Sequence, residues 1–310
     1  MTSQELTQRR AFVADWFRSL QDSICSALEA EDGQGKFMED RWERPGGGGG
    51  HTRILTNGNV IEKGGVNFSA VHGVPPASSV VHAGMDPEKV KEFFAAGVSI
   101  VMHPSNPQVP IIHMNVRYFD LGPDKWWVGG GIDLTPHYVK PEDARFFHET
   151  LKVVCDKTDP SYYSEFKKWA DDYFFIPHRN ETRGIGGIFF DYLSSNEKFS
   201  FDDRFSFVQG VGSSFAGIYV ELMHRNKLLP YTAEQKDWQK LRRGRYVEFN
   251  LVYDRGTKFG LESHGRTESI LMSLPPTADW KYDHQPTAGS AEAETLSWLR
   301  KNIDWTNPTK

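Results

Sequence analysis

The chain has 310 residues, a formal net charge of −5 and an aromatic content of 13%. The acidic balance argues against nucleic-acid binding, which normally requires a basic face, while the aromatic content suits a large core, a flat organic ligand or a subunit interface. The two cysteines, Cys25 and Cys155, form no CxxC pattern, and no apolar run approaches a membrane span, so we expect no disulfide scaffold, metal–thiolate site or transmembrane segment. The N-terminus mixes basic and acidic side chains, unlike a signal or transit peptide. These features predict a cytoplasmic protein.

The first predicted element is an amphipathic helix over residues 4–29, because apolar residues recur there at intervals of four. Residues 45–51 are rich in glycine and are predicted as a flexible loop, either a linker or a mobile flap over a site. Short strands are predicted at 53–55 and 65–71. An Asp-Pro-Glu sequence at 86–88 is typical of a helix start.

The rest of the chain predicts strands and helices in runs rather than in strict alternation. Further strands are predicted at 98–103, 111–120, 125–134 and 186–192. Helices are predicted at 86–97, 141–156, 160–174, 202–226, 232–243 and 291–303. A hairpin is predicted from strands 246–253 and 258–262 around Asp254-Arg255-Gly256-Thr257. This order favours one α+β domain, residues 1–310, with a largely antiparallel sheet covered by helices.

The predicted strand 111–120 carries an unusual polar face. Strict alternation places His113, Asn115 and Arg117 on one side and apolar residues on the other. Buried polar groups of this kind need partners. A solvated edge strand would also explain the pattern, but the neighbouring prolines and the following Trp-Trp strand favour a central position and hence a site.

The next predicted strand offers a glycine platform. Trp127, Gly129, Gly131 and Asp133 alternate on one face, which gives a surface poor in side chains that ends in a carboxylate. The alternative is a bulge packed under a helix, with Asp133 as a cap. The interpretation of this strand as part of a site is strengthened because the strand directly follows the polar strand.

Two basic segments are candidates for binding carboxylates. The first contains His178, Arg179 and Arg183, although ordinary charges at a helix C-terminus would explain it equally well. The second is the loop from His264 to Arg266, which opens a helical turn whose backbone N–H groups can hold an anion.

Other types of site find little support. Four histidines could form a metal set, but satisfied structural histidines explain them better because no two have the short helical spacing of a metal motif; they are His103, His113, His148 and His178. The chain contains neither a P-loop nor a dinucleotide fingerprint nor a nucleophile elbow.

Several long segments, in the same order, resemble the oxygen-dependent coproporphyrinogen III oxidase family almost from end to end. They are RPGGGGGHTRIL, EKGGVNFSAVHG, FFAAGVSIVMHPSNPQVPIIHMNVRYF, WWVGGGIDLTPHY, KKWADDYFFIPHRNETRGIGGIFFDY and RYVEFNLVYDRGTKFGLESHGRTESILMSLPP. Departures are small: Ile111 replaces a usual Thr, Tyr192 replaces a common acidic residue, and His264 replaces a common Gly.

The resemblance implies a flat antiparallel sheet between helices and a homodimer whose contact includes residues 246–274. It also implies oxidative decarboxylation of the two propionates on rings A and B of coproporphyrinogen III to vinyl groups, which gives protoporphyrinogen IX and CO2 in haem biosynthesis. Molecular oxygen would be the electron acceptor. No organic cofactor is implied, and a divalent metal is possible but not required.

The resemblance also implies roles for individual residues. His113 would donate a proton, Asp133 would face the pyrroles, and Arg117 would complete the catalytic group. Substrate-contact positions would be Ser99, Asn115, Val116, Arg117, His264, Gly265 and Arg266. His103, His113, His148 and His178 would bind a metal in bacterial-type sites.

Four carboxylates on the substrate require local cations on an acidic protein, and Arg117, Arg179, Arg183 and Arg266 are the candidates. Our sequence-based hypothesis is that Asp133 accepts pyrrole N–H groups while His113 transfers protons, so Asp133→Ala should fold normally and lose most turnover. Two rivals stay open at this point: a metal-dependent oxygenase and a non-catalytic tetrapyrrole carrier.

Overall fold

The computed structural model describes the whole chain except residues 76–79, 81–85, 87, 89, 91, 263, 264, 309 and 310. The described helices are α1 (Ser3–Asp32), α2 (Pro141–Asp156), α3 (Tyr162–Tyr173), α4 (Phe201–Asn226), α5 (Ala233–Val252), α6 (Arg255–Glu262), α7 (Thr267–Leu271) and α8 (Ala291–Trp298). The described strands are β1 (Met38–Glu43), β2 (Gly48–Thr56), β3 (Ile61–Gly73), β4 (Phe93–Pro104), β5 (Ile111–Asp120), β6 (Trp126–Thr135), β7 (Phe175–Ile176), β8 (Glu181–Thr182) and β9 (Gly187–Leu193). In this part of the chain no helix combines the length and apolar character needed to cross a bilayer.

The three longest helices each begin with a reciprocal cap. Thr2, Ser200 and Thr232 accept a hydrogen bond from the backbone three residues on, and the side chain at that third position accepts from the capping residue's backbone. Such caps satisfy N–H groups that have no partner inside the helix. Local sequence therefore fixes where α1, α4 and α5 begin.

Seven of the described strands form one antiparallel sheet in the order β1-β2-β3-β4-β5-β6-β9. Six consecutive strands are neighbours, and β9 joins β6 after two helices and a small hairpin of β7 and β8. The predicted α+β class with an antiparallel sheet is confirmed. Strand β5, which carries the polar residues, lies inside the sheet between β4 and β6.

The two faces of the sheet differ in character. One face packs against α1 and α4 in the main core, where Ile112, Met114 and Val116 are fully buried. Each such side chain contributes roughly 1.5–3 kcal/mol of burial free energy. On the other face Tyr246 of α5 packs against Val101 and Ile111. The helices therefore cover both faces, and the polar residues of β5 belong to the side nearer α5.

Three predictions about local structure are wrong. Residues 48–51 of the expected flexible loop form β2 and pair with both β1 and β3, so only the residues between β1 and β2 form a turn. The helix expected at 86–97 ends as strand, because residues 93–97 belong to β4; part of its remainder lies outside the described residues. The last helix ends at Trp298 rather than at residue 303.

The expected hairpin at 246–262 is also wrong, because α5 continues to Val252 and α6 follows. Tyr246, Phe249 and Asn250 are buried, and they lie three and four residues apart, which is the spacing of one helix face. The predicted turn residues mark the break between the two helices.

Candidate active site

The face of the sheet opposite the main core brings the predicted polar strand and the glycine strand side by side. In the β5–β6 register His113 pairs with Asp133, Asn115 with Gly131, and Arg117 with Gly129. His113, Asn115 and Arg117 are half-buried, whereas their neighbours in the strand are buried. The predicted sharing of one strand face is therefore confirmed.

A hydrogen-bonded chain of three side chains lies at one end of this face. Nδ1 of His113 is 2.7 Å from Oδ1 of Asp133, and Nη2 of Arg183 donates to both oxygens of the same carboxylate at 2.8 and 2.7 Å. The side chains of Asp133 and Arg183 are 2% and 3% exposed, against 23% for His113. Only His113 of the three therefore has substantial access to solvent.

The surroundings of Arg183 explain why it stays buried. Its Nη1 atom donates to Oδ1 of Asn250 at 2.8 Å, and its guanidinium lies 4.5 to 4.6 Å from the ring centroids of Phe174, Tyr246 and Phe249. Stacking of a cation on aromatic faces offsets part of its lost hydration. The residue that we predicted as a propionate ligand is thus enclosed between β6, β8 and α5.

The buried pair keeps Asp133 ionised. Burial alone raises the pKa of this carboxyl, but the charge of Arg183 and the hydrogen bond from His113 outweigh it and hold the pKa below its usual value. Asp133 therefore differs from the expected open carboxylate, since its oxygens are already engaged by protein donors.

A second charged pair lies farther along the same face. Nη2 of Arg117 is 2.7 Å from Oδ2 of Asp191, and its Nη1 donates to Oδ1 of Asn115 at 2.8 Å. The Arg117 side chain remains 35% exposed. Gly129 lies beneath this pair: a Cβ atom there would press on Asp191 and sit 2.9 Å from Nη2 of Arg117. The absence of a side chain at Gly129 is thus what admits the ion pair.

Side chains from neighbouring strands cover the glycines of β6, contrary to the open surface that the sequence suggests. Asp191 and Arg117 cover Gly129, and Phe189 lies against Gly131. Phe189 is in turn stacked on Tyr173, with ring centroids 4.2 Å apart. The glycines therefore make room for neighbouring side chains, while His113, Asn115 and Arg117 remain half-buried beside them.

The remaining predicted substrate residues are scattered more widely. Ser99 is half-buried and pairs in register with Asn115, whereas the Val116 side chain is fully buried in the main core. Arg266 pairs with Asp40 of the edge strand β1, and Gly265 is exposed. His264 lies outside the described residues.

Arg179 and His178 form a separate cluster around Glu248. Both donate to this carboxylate, Arg179 through two nitrogens at 2.9 and 2.7 Å and His178 through Nε2 at 2.7 Å. Burial raises the pKa of Glu248, but these donors lower it to about 2. Both side chains are thus already engaged by a residue of α5.

The four histidines predicted as a metal set do not share one site. Within the described ranges no three His, Cys, Asp or Glu side chains converge as a metal-holding group. His148 uses both ring nitrogens on Tyr163 and the Ile185 carbonyl. His103 is buried and pairs through Nε2 with the Ser273 carbonyl at 2.8 Å. The residues present therefore do not fit a metal centre built from this set.

Sequence reasoning missed two acidic residues of the site. Asp191 belongs to a strand that we predicted correctly. Its membership of that strand, which pairs with the glycine strand, is the signal that could have identified it as a site residue. Asp254 was assigned to a hairpin turn, yet it is half-buried and accepts a hydrogen bond from the hydroxyl of Tyr173 at 2.8 Å. Its placement depends on the helix break that the sequence pattern concealed.

Comparisons with known proteins show the family of this chain. The family model for coproporphyrinogen III oxidase matches residues 12–305. A chloroplastic oxygen-dependent coproporphyrinogen-III oxidase of Glycine max is 49% identical over 315 residues, which cover 98% of this chain and 81% of the relative. Coproporphyrinogen-III oxidase 1 of Arabidopsis thaliana, also chloroplastic, is 48% identical over 308 residues, or 96% of this chain and 79% of the relative. The chain therefore belongs to the oxygen-dependent coproporphyrinogen III oxidase family.

Proposed function

We propose that this chain is the oxidoreductase that converts the propionates on rings A and B of coproporphyrinogen III to vinyl groups, giving protoporphyrinogen IX in haem biosynthesis. Family membership supports the reaction. The observation that carries the assignment of the site is the pairing of His113 with a buried, ionised Asp133 on the same sheet face as a half-exposed Arg117.

The reaction has a defined electron balance. Each propionate loses CO2 from its end and the equivalent of a hydride from the carbon attached to the pyrrole, and a C=C bond forms between the two remaining carbons. Molecular oxygen accepts these two electrons and, with the hydrogen and one further proton, becomes hydrogen peroxide. The protein must therefore hold a carboxylate, position the carbon that loses hydrogen, and move protons.

His113 is the proposed proton-transfer group. A carboxylate only accepts hydrogen bonds, so the contact with Asp133 places the proton of the neutral ring on Nδ1 and leaves Nε2 for the substrate. General acid–base catalysis by one such group typically contributes about 10²–10⁴-fold. Asp133 then acts by orienting His113 rather than by binding pyrrole N–H groups, because Arg183 already occupies its oxygens.

Arg117 is the proposed anchor for a substrate carboxylate. Its guanidinium has five N–H donors, of which one contacts Asn115 and one contacts Asp191, and its side chain is 35% exposed. Ser99, Asn115, Gly265 and Arg266 remain proposed substrate contacts, as do Arg179, His264 and the backbone of Val116. Arg183 is proposed to support the site by holding Asp133, since its enclosure leaves no direct path to substrate.

We further propose that the reaction requires oxygen but no organic cofactor and no metal. Support comes from the donor geometry, which does not fit the four predicted histidine ligands. Activity that survives chelation and metal analysis would agree with this, whereas strict dependence on one added metal would contradict it.

The deciding experiment compares the purified chain with coproporphyrinogen III in air and under argon. We expect divinyl product and CO2 in air and none under argon. A tetrapyrrole carrier would give no vinyl product in either atmosphere. A His113→Asn variant serves as the control for non-enzymatic oxidation of the reduced pigment.

Two further predictions stay as proposals. The exposed side chains of Leu251, Val252 and Leu261 lie within the segment 246–274 expected to form a homodimer contact, and light scattering of the purified chain would test that state. The cytoplasmic location expected from the sequence would be tested by cell fractionation, because the two similar relatives are chloroplastic.

A further inference from the structure

The pairing of β6 with β9 contains a bulge beside the site. Val128 pairs with Leu193 and Gly130 pairs with Phe190, so Asp191 and Tyr192 together lie opposite Gly129 alone. Tyr192 has a φ of 55°, in the left-handed region that tyrosine rarely adopts. Bulges bend a strand and re-aim its side chains.

Because of the bulge, the side chains of the consecutive residues Asp191 and Tyr192 lie on the same face of the sheet. In a regular strand Asp191 and Tyr192 would point to opposite sides of the sheet. Here Asp191 is paired with Arg117 at 2.7 Å, while the Tyr192 ring lies 5.3 Å from the ring of Trp127. Trp127 and Arg117 lie on the same face, because Gly129 is two residues from Trp127 and pairs with Arg117.

Tyr192 completes a row of aromatic rings that crosses the sheet. Trp127 stacks on Phe119 at 4.5 Å, and Phe119 stacks on Phe93 at 5.7 Å. Successive members of this row belong to β9, β6, β5 and β4. Phe119 is two residues from Arg117 in β5 and pairs in register with Trp127. Tyr192 is 49% exposed at the end of the row. An accessible aromatic surface thus lies directly beside an accessible guanidinium.

We infer that Tyr192 and Trp127 form a wall against which one pyrrole ring of the tetrapyrrole packs while the propionate of that ring binds Arg117. A pyrrole with a carboxylate on a two-carbon arm presents a flat ring and an adjacent anion. The ring would pack on the aromatic surface, and the anion would bind the guanidinium. This inference rests on the proposed function and assigns a specificity-determining role to Tyr192. The strained backbone at Tyr192 is the local cost of placing the ring there.

The test uses variants that distinguish the effect of the Tyr192 ring from the effect of the bulged backbone. Tyr192→Phe keeps the ring. Tyr192→Asn removes it with a residue that tolerates the left-handed conformation, and Tyr192→Gly removes it with a residue that adopts this conformation freely. Tyr231→Asn is the matched control, because Tyr231 is 47% exposed and lies between α4 and α5.

Three quantities are measured for each variant: KM and kcat with coproporphyrinogen III, and the dissociation constant for coproporphyrin III, the oxidised pigment that is not turned over. For Asn and Gly at position 192 we expect KM and the dissociation constant to rise about three- to tenfold with kcat within about twofold, as loss of an aromatic contact implies. Tyr192→Phe and Tyr231→Asn should match the parent chain.

Unchanged KM and pigment affinity in both ring-deleted variants, or a fall in kcat alone, would overturn the inference. Its failure is distinguishable from failure of the proposed function. A parent chain that forms no vinyl product in air refutes the function, and the pigment affinities still decide the role of Tyr192. If the parent chain forms vinyl product and the ring-deleted variants bind the pigment normally, only the proposed role of Tyr192 is refuted.

Discussion

Arg183 Nη2 lies 2.8 and 2.7 Å from the two carboxylate oxygens of Asp133, and neither side chain is more than 3% exposed. This pair joins the stability of the fold to the chemistry of the site, because the same carboxylate also holds His113. Removing one partner of a buried ion pair leaves an uncompensated charge, which is costly in a medium of low polarity.

The first prediction concerns this pair. Asp133→Ala should lower the free energy of unfolding by about 3–5 kcal/mol, contrary to the normal folding expected from sequence alone, and should also abolish most turnover. Replacing both partners, as in Asp133→Leu with Arg183→Met, should restore much of the stability, since apolar residues of similar volume often replace buried ion pairs without loss. Urea denaturation and steady-state kinetics measure the two effects. Recovery of turnover together with stability in the double variant would show that Asp133 has no part in orienting His113.

The second prediction concerns His113 itself. Asparagine at this position can still donate to Asp133 through its amide but has no counterpart of Nε2, so the buried pair should stay intact. We expect kcat to fall by about 10²–10⁴, with a change of less than about 1 kcal/mol in stability because the side chain is partly exposed. His224→Asn, at a side chain that is 72% exposed, is the control and should leave both quantities unchanged. A kcat within a few-fold of the parent would remove His113 from proton transfer.

The sequence predicted the strand face but not its partners, and the reason is physical. In β5 the side-chain period of two appears directly in the order of residues, so His113, Asn115 and Arg117 could be placed on one face. The enclosure of Arg183 depends on the packing of Asn250 and three aromatic rings, two of them from the distant helix α5. Packing of this kind leaves no periodic signal near Arg183.

Ambiguous local patterns account for the main errors in the fold. Within the segment 246–253, residues 247–251 alternate apolar and polar like a strand, but the buried positions also fit one helix face, and tertiary contacts decide between the two. Gly48 and its two following glycines resemble a linker because glycine carries no side-chain signal. Their place in β2 depends on hydrogen bonding to strands on both sides.

The third prediction uses the close approach at Gly129. An alanine Cβ would press on Asp191 and Arg117, so Gly129→Ala should displace the pair, raise KM several-fold and lower the free energy of unfolding by about 1–3 kcal/mol. Gly217→Ala is the matched control, because nothing lies within 4 Å of the added atom and Gly217 is inside α4. That variant should gain about 0.5–1 kcal/mol from the better helix propensity of alanine and keep parental kinetics. Equal KM values for the two variants would mean that the position of Arg117 does not matter for substrate binding.

The fourth prediction concerns pH and a carboxylate far from the site. Asp32, at the end of α1, is 1% exposed and accepts backbone hydrogen bonds from Gly35, Asn59, Val60 and Ile61 at 2.6 to 2.9 Å. Burial raises the pKa of Asp32, but these four donors outweigh it and leave the pKa below its usual value.

The sign of the pH effect follows from this depressed pKa. The ionised form of Asp32 is favoured in the folded state, so its stabilising effect is present above the unfolded pKa of about 3.9 and is lost as pH falls through the lower folded value. Asp32→Asn should lower the free energy of unfolding at pH 7 by about 1.5–3 kcal/mol, the contribution of a hydrogen bond to a charged group, and should weaken the dependence of stability on pH below about 4. Asp124→Asn, at an exposed position between β5 and β6, should change neither. Denaturation series at pH 7 and pH 3 measure the effect, and an equal loss of stability for Asp32→Asn at both pH values would show that the charge of Asp32 is not what holds these backbone groups.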